Sequence, residues 1–508
     1  MKFIIILLGL QLFKGCHNNF SKNTQPDYRP IYHFSPAFNW TNDPNGLVYY
    51  RGRYHLFYQY NPFGTRWGHM SWGHATSSDL LNWKQEPVAI PEYSNPDSTI
   101  TGVFSGTAVT DSFNTSGFGV AENPMPLVAI YTSNVDKLIQ HQSLAYSLDG
   151  KTFSRYSGNP VLDIHSQEFR DPKVFWHYPT HKWVMIISKP DEKKVRFYSS
   201  LNLKDWQYMS EFGGIGNIAR VWECPDLFEL PVENAPERKW VITNSAGHPE
   251  NGFLAMQYFI GDFDGTKFTA SADNYPQYLD NGKDYYAGIV YNNLPSNDHR
   301  KIMIGWANCW EYANDIPTTG FRGMMAIPRE LKLKKEGKQY MLIQLPVEET
   351  NKYRGEYLFH QNKFLLTDTI NTAGNLKGDA LDIEFAMTRE GAAQSGVKVF
   401  KNGTEETLIY YNKTDHTIKL DRTRSGNIGF SNRFPSVESA SVQNEKSPIK
   451  IRILIDKSLV EVFINDGEKT ITDQVFPVNS NGRVEFFSNN GRTEFTNVVI
   501  YRMNKSIK

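Results

Sequence analysis

No long stretch of this chain keeps apolar residues at the i, i+3, i+4 spacing that an amphipathic helix needs. Short alternating or apolar runs bounded by Gly, Asn, Asp and Pro recur instead. Among them are YHLFYQY (54–60), PLVAIYTS (126–133), KWVMIIS (182–188), KWVITNS (239–245) and KIMIGWA (301–307). Such runs read as strands, and the chain as all-β. A weak repeat accompanies them: SSDLLNW (77–83), SLDGKTF (147–153), SLNLKDW (200–206) and GDFDGTKF (261–268) each make a polar turn that ends on an aromatic residue. The copies lie roughly 50–70 residues apart, which suits four-stranded sheets repeated around an axis. Five such units fit between residues 31 and 340 and predict a five-bladed β-propeller. An irregular β-sandwich with coincidental turns is the competing architecture.

The texture changes after AIPRELKL (326–333). Residues 341–358 read as a linker, and longer alternating strands follow: ALDIEFAMT (380–388), PIKIRILID (448–456), SLVEVFIND (458–466), GRVEFFS (482–488) and FTNVVIYRM (495–503). They predict a C-terminal antiparallel β-sandwich over 359–508, in which SLVEVFINDGEKTIT forms a hairpin about its Asn-Asp-Gly turn.

At 508 residues the chain exceeds one ordinary domain, and Lys+Arg and Asp+Glu are both 54. With no block of like charge, nucleic acid is not expected as a partner. Aromatic residues make up 14% of the chain, more than the cores need, leaving some for flat amphipathic ligands such as sugars. The N-terminus, MKFIIILLGLQLFKGC, has a basic start, an apolar run too short for a bilayer, and then Gly15-Cys16. Two readings stay open for residues 1–16: an ordinary export signal, or a lipoprotein signal with acylated Cys16. The second is favoured, although Phe13 and Lys14 depart from the small residues usual there. In either case the protein leaves the cytoplasm, to the cell surface or periplasm, with membrane attachment only through Cys16. Apart from Cys16 only Cys224 and Cys309 remain, too few for a disulfide framework.

A propeller directs the inner strand of every blade at one axial pocket, so acids that act together should sit at matching positions of different units. Asp43 in NWTNDPNG, Asp171 in EFRDPKVFW and Glu223 in VWECPDLFEL meet that test, each close to a Pro and followed by an apolar strand. Singly, each has an ordinary explanation. Asp43 opens what reads as a type I turn, Asp171 has Arg170 for an ion pair, and Glu223 could be a buried acid bonded to backbone. Three at matching positions favour chemistry. Cys224 reads as packing, and His69 and His74 read as structural hydrogen-bonders without an acid partner. Trp72 and Trp310 are as readily packing as binding residues.

The motifs NDPNG, FSGTAV (104–109), FRDP (169–172), WECP (222–225) and DYYA (284–287), in this order, resemble those of glycoside hydrolase family 32, which includes invertases, inulinases and levanases. The resemblance covers nearly the whole chain and implies a five-bladed propeller followed by a β-sandwich. One departure is Thr41, where Met or a similar residue is common. The resemblance also implies a retaining mechanism with two carboxyl groups. In it Asp43 is the nucleophile, Glu223 the acid and then the base, and Asp171 the transition-state stabiliser, kept ionised by Arg170. Asn42, Gln59, Ser105, Arg170 and Asp284 would bind fructose hydroxyls, and Trp67, Phe104 and Trp306 would supply apolar walls. No cofactor or metal is expected, because carboxylates supply both nucleophile and proton.

The implied activity is hydrolysis of β-fructofuranosidic bonds in levan- or inulin-type fructans, and in sucrose, by exo release of fructose from a monomer. DSFNTSGFG (111–119) and the stretch 284–331 resemble the microbial fructan hydrolases more than plant invertases. Endo cleavage of levan, fructosyl transfer and fructan binding without catalysis stay open as alternatives.

Overall fold

The computed structural model describes residues 28–505 apart from 137, 248–253, 272–275, 443–447 and 480; the expected signal at 1–16, with Cys16, lies outside the described residues. Five antiparallel sheets of the first domain have inner strands Asn39–Tyr50, Ile100–Thr110, Arg170–His177, Glu223–Pro231 and Tyr286–Val290. Strand order within the third and fourth sheets follows the chain outward, and the first is joined by the short strand Phe321–Arg322, which pairs in parallel with Asn39–Tyr50. That pairing ties the connection between the second and third strands of the fifth blade to the first blade. Between neighbouring sheets lie separate apolar layers, such as Val109, Ile130, Val174, Met185 and Ile187 between the second and third. The fold is a five-bladed β-propeller.

The repeated polar turns join the third and fourth strands of four blades. In each, one side-chain oxygen accepts two successive backbone N–H groups: Asp79 from Leu81 and Asn82, Asp149 from Lys151 and Thr152, Asn202 from Lys204 and Asp205, Asp264 from Thr266 and Lys267. Asp and Asn are favoured there because a short acceptor side chain can close its own turn.

The second domain is a sandwich of two six-stranded sheets. Its strands alternate as the sequence does: in Ile449–Asp456, Ile449, Ile451 and Ile453 enter the core while Lys450 and Arg452 face outward. Each such fully buried side chain contributes about 1.5–3 kcal/mol. The stretch expected as a linker, 341–358, is divided between the domains. Gln339–Pro346 completes the fifth blade, Glu348–Tyr353 is a 3-10 turn, and Arg354–Thr367 opens the sandwich. The cause is that Leu342 packs in the propeller core and buried Gln344 bonds Arg329.

Buried charge joins the domains. Arg329 of the fifth blade bonds Asp280 at 2.9 Å and Glu461 of the sandwich at 2.8 Å. His33 lies between Asp456 (Nδ1, 2.9 Å) and Glu461 (Nε2, 2.8 Å). Arg422 of the sandwich bonds Asp284 at 2.6 Å.

Candidate active site

Each of the five inner strands breaks register with its neighbour at the same level. The irregularities fall between Thr41 and Pro44, Val103 and Gly106, Arg170 and Lys173, Glu223 and Asp226, and Tyr286 and Ile289. A bulge re-aims side chains that a regular strand would send to alternate faces. Asp171 (φ 64°), Cys224 (φ 48°) and Ala287 (φ 55°) take up left-handed backbone there. Pro44, Pro172 and Pro225 lie in or next to three of the breaks, where a residue without N–H costs no ladder bond. Asp-Pro-Asn-Gly is therefore not the turn its composition suggests. It lies inside the strand Asn39–Tyr50, which runs on through Asp43 to Tyr50.

The five bulges surround a pocket of about 540 Å³, lined by Asn42, Asp43, Gln59, Trp67, Phe104, Ser105, Arg170, Asp171 and Glu223 as expected. Asp43 is fixed from both sides: Ser105 Oγ donates to Oδ2 at 2.6 Å and Asn42 Nδ2 to Oδ1 at 3.0 Å. Asn42 is oriented in turn by the indole N–H of fully buried Trp40 at 2.7 Å. Burial pushes the Asp43 carboxyl up, against the two donors, and nearby Glu223 adds to the rise. Asp171 accepts the backbone N–H of Cys224 at 3.0 Å, and its pKa is pushed up to about 7. Burial is the main cause; the positive charge of Arg170 opposes it, and Glu223 and Asp43 reinforce it.

The guanidinium of Arg170 does not bond Asp171. It bonds Glu223 Oε1 from Nη2 at 2.9 Å and from Nε at 3.2 Å, and it also holds Glu168 and Gln140. The other Glu223 oxygen accepts the hydroxyl of Tyr286 at 2.6 Å. Glu223 is thus clamped at both oxygens, one by a cation and one by a neutral donor. Cys224, read as packing, is buried with its Sγ 3.4 Å from Asp43 Oδ2 and 3.7 Å from Asp171 Oδ2. Burial pushes its thiol well up, and the acids around it add to the effect. It is a neutral spacer between two carboxylates.

Two expected ligands are elsewhere. Asp284 is fully buried at the join between the domains, where it accepts from Arg422, from the Tyr312 hydroxyl at 2.8 Å and from the Gln474 backbone N–H at 2.8 Å. It precedes the inner strand, on a segment whose backbone bonds the sandwich strand Lys469–Gln474. Trp306 is fully buried behind the pocket, 4.8 Å ring to ring from Trp310, and it is Trp310 that reaches the pocket wall. Trp72 is packing, as its indole bonded to Phe104 O at 2.9 Å indicates. His69 does have an acid partner, Glu92 at 2.8 Å, while His74 pairs with His55.

Tyr286, Gln140 and Glu168 also line the pocket and were not foreseen. Tyr286 had a signal in the sequence: within DYYA it holds the position at the register break that Arg170 and Glu223 hold in the third and fourth blades. Reading that motif for charge selects Asp284, two residues out of phase. Gln140 comes from a third strand of the second blade and carries no local signal.

Chemically, the pocket offers a held carboxylate, a second carboxyl group clamped by Arg170 and Tyr286, and a third acid, Asp171, bonded to the Cys224 backbone. Residues 33–346 match the family model for the Glycosyl hydrolases family 32 N-terminal domain, and residues 349–502 that for the C-terminal domain. A levanase of Bacillus subtilis (strain 168) is 43% identical over 94% of this chain and 71% of its own length. An extracellular exo-inulinase of Aspergillus ficuum is 41% identical over 95% of each chain. The crystal structure of an exo-inulinase from Aspergillus awamori superposes with a TM-score of 0.88 at 39% identity, over 95% of this chain and 99% of the other.

Proposed function

The chain belongs to glycoside hydrolase family 32, and from that premise we propose that its axial pocket cuts β-fructofuranosidic bonds with retention of configuration. The protein is a glycosidase acting on fructans, and its relatives include an exo-inulinase and a levanase. The single observation that carries the assignment of roles is the pairing of carboxyl groups in different hydrogen-bonding settings. Asp43, aimed by Ser105 and Asn42, attacks the anomeric carbon C2. Glu223 gives its proton to the leaving oxygen, so that a fructosyl–Asp43 ester and a free alcohol form. Glu223 then takes a proton from water, which attacks C2 and frees Asp43. Asp171 binds the fructose hydroxyls and answers the positive charge that develops on the ring. Gln59, Ser105 and Arg170 hold the remaining polar groups, with Trp67, Phe104 and Trp310 as the apolar walls.

Exo action fits a pocket closed at its inner end. Beneath it, a space of only about 10 Å³ lies among Asn45, Gly106, Pro172, Lys173 and Pro225. A chain end can enter, and fructose leaves by the same mouth. A chromatographic time course on levan, inulin and sucrose tests this. Fructose alone from the first sample is expected; an early ladder of oligosaccharides would replace exo by endo cleavage, and products longer than the substrate would mean transfer.

Export belongs to the same reading, supported by the extracellular inulinase and by the apolar N-terminal run. Attachment through a lipid on Cys16 goes one step further: radiolabelled fatty acid should mark the protein and be lost in Cys16→Ala.

A further inference from the structure

The inner strands do not end at the catalytic pocket. From the bulges they run on to the other end of the propeller, where Val109, Lys173, Leu227, Phe228 and Val290 line a second cavity of about 950 Å³. Val109, Leu227 and Val290 lie four residues beyond Ser105, Glu223 and Tyr286, so roughly 13 Å separates the two levels. The axis between them is packed shut. Lys173 pairs with Asp226 at 3.1 Å, and Asn292 bonds the backbone of two blades, at Ala108 O (2.9 Å) and Val174 O (3.1 Å). The second cavity is thus a separate compartment, larger than the first, with its own mouth.

Its wall alternates ring faces and polar groups. Trp176, Tyr178 and Trp240 stand along it, and Tyr178 is 69% exposed. The cations of this wall are neutralised with one exception. Arg300 is held by Asp298 at 2.7 Å and Glu349 at 2.8 Å, Arg238 by Glu229 at 2.6 Å, and Lys173 by Asp226. The Lys301 amino group lines the cavity and forms no hydrogen bond or ion pair with any described residue; burial and the charge of Lys173 lower its pKa, against Asp226 and Glu229. A site for a phosphate-like anion would gather several free cations and needs no rings. One unpaired cation among aromatic residues fits a neutral polyhydroxylated ligand, whose C–H faces cover rings while its hydroxyls take hydrogen bonds.

We propose that the end of the propeller opposite the catalytic pocket is a second carbohydrate site, which holds an internal stretch of a fructan chain against Trp176, Tyr178, Trp240 and Lys301. It rests on the reading of the first pocket for the choice of polymer. A site some distance from the cutting end raises the local concentration of chain ends and adds avidity without entering the chemistry.

The test compares Tyr178→Ala/Lys301→Gln with its parent, both carrying Asp43→Asn, by electrophoresis through gels containing levan, inulin or a β-glucan. The parent should be retarded by levan or inulin, and the double variant should need about ten times more polymer for equal retardation. With Asp43 restored, KM for the polymer should rise several-fold while kcat and KM on sucrose and short fructo-oligosaccharides stay at the parent's values. Equal retardation of variant and parent, or retardation by β-glucan alone, overturns the proposal. Turnover of the short substrates by the parent stands or falls separately, and it decides the reading of the catalytic pocket. Should the double variant fold poorly, Tyr178→Ala alone, which alters an exposed ring, must show at least half the loss on a logarithmic scale or the site is refuted.

Discussion

Two groups of buried acids, one on the propeller axis and one at the join with the sandwich, are built from the same residue types and do opposite work. At the join, four acids each bond a base, and a fifth, Asp473, lies 3.7 Å from Arg422 with burial pushing its carboxyl well up. Asp280 and Glu461 share Arg329, Asp456 and Glu461 enclose His33, and Asp284 meets Arg422. On the axis, Asp43, Asp171 and Glu223 share one cation, Arg170, which bonds Glu223 and also holds Glu168. Charge in those four acids is compensated and therefore structural. On the axis, burial first and then the neighbouring carboxylates lift Asp171 to about 7, and a developing cation on a sugar ring would relieve that cost.

The largest expected effect breaks the comparison at its catalytic side. Asp43→Asn keeps the volume and the donors around it but removes the nucleophile, so kcat on sucrose should fall by about 10⁴-fold or more. Its midpoint of thermal unfolding should stay at or above the parent's, since one buried like charge is gone. Retention of wild-type turnover would remove Asp43 from the mechanism.

At the join the same kind of change should do the reverse. Asp284→Ala leaves the Arg422 guanidinium buried without its nearest carboxylate, a loss of about 3–5 kcal/mol, read as a lower denaturation midpoint. Arg422→Met added to it should restore part of that loss. Activity of the folded fraction at low temperature should be unchanged. A rise in KM for sucrose without loss of stability would make Asp284 a sugar ligand after all.

That substitution also marks the limit of what the sequence discloses. Alternation and the repeated polar turns made the propeller and the sandwich legible, because both are local consequences of strand period and turn chemistry. Asp43, Asp171 and Glu223 were legible because three acids beside prolines recur at one level of the repeat. Asp284 misled because charge was read without phase. Its motif neighbour Tyr286 occupies the bulge, while Asp284 lies before the strand begins, and only the fold shows that Arg422, far along the chain, is its partner. Gln140 and Trp310 reach the pocket from strands and loops whose local pattern is that of ordinary blade residues. The strand Asn39–Tyr50 passing through Asp-Pro-Asn-Gly is the same lesson in small. Turn-forming residues served a bulge, because pairing with Arg53–Asn61 outweighs local preference.

Smaller, and again at the join, is a dependence on pH. Burial opposes a charged His33, but hydrogen bonds to Asp456 and Glu461 outweigh it and lift its pKa from 6.5 to about 9. A histidine raised on folding stabilises fully below its unfolded value, about 6.5. That contribution, of order 3 kcal/mol, is lost as pH rises through about 9. The denaturation midpoint should therefore fall between pH 7 and 10 more steeply in the parent than in His33→Gln. Parallel curves would assign the alkaline loss to other groups.

The smallest effect separates the two clamps on Glu223. Arg170 holds one oxygen with a charge and Tyr286 holds the other with a neutral hydroxyl at 2.6 Å. Tyr286→Phe keeps the ring, which packs with Trp40, Ala287 and Trp306, and deletes only the donor. Stability should change little. kcat should fall about 10- to 100-fold, because an acid free to rotate about its Arg170 contact spends less time aimed at the leaving oxygen. The loss should shrink on substrates with good leaving groups, which need less protonation. If every substrate loses equally, Tyr286 contacts the fructosyl ring instead, and the pocket holds its acid through Arg170 alone.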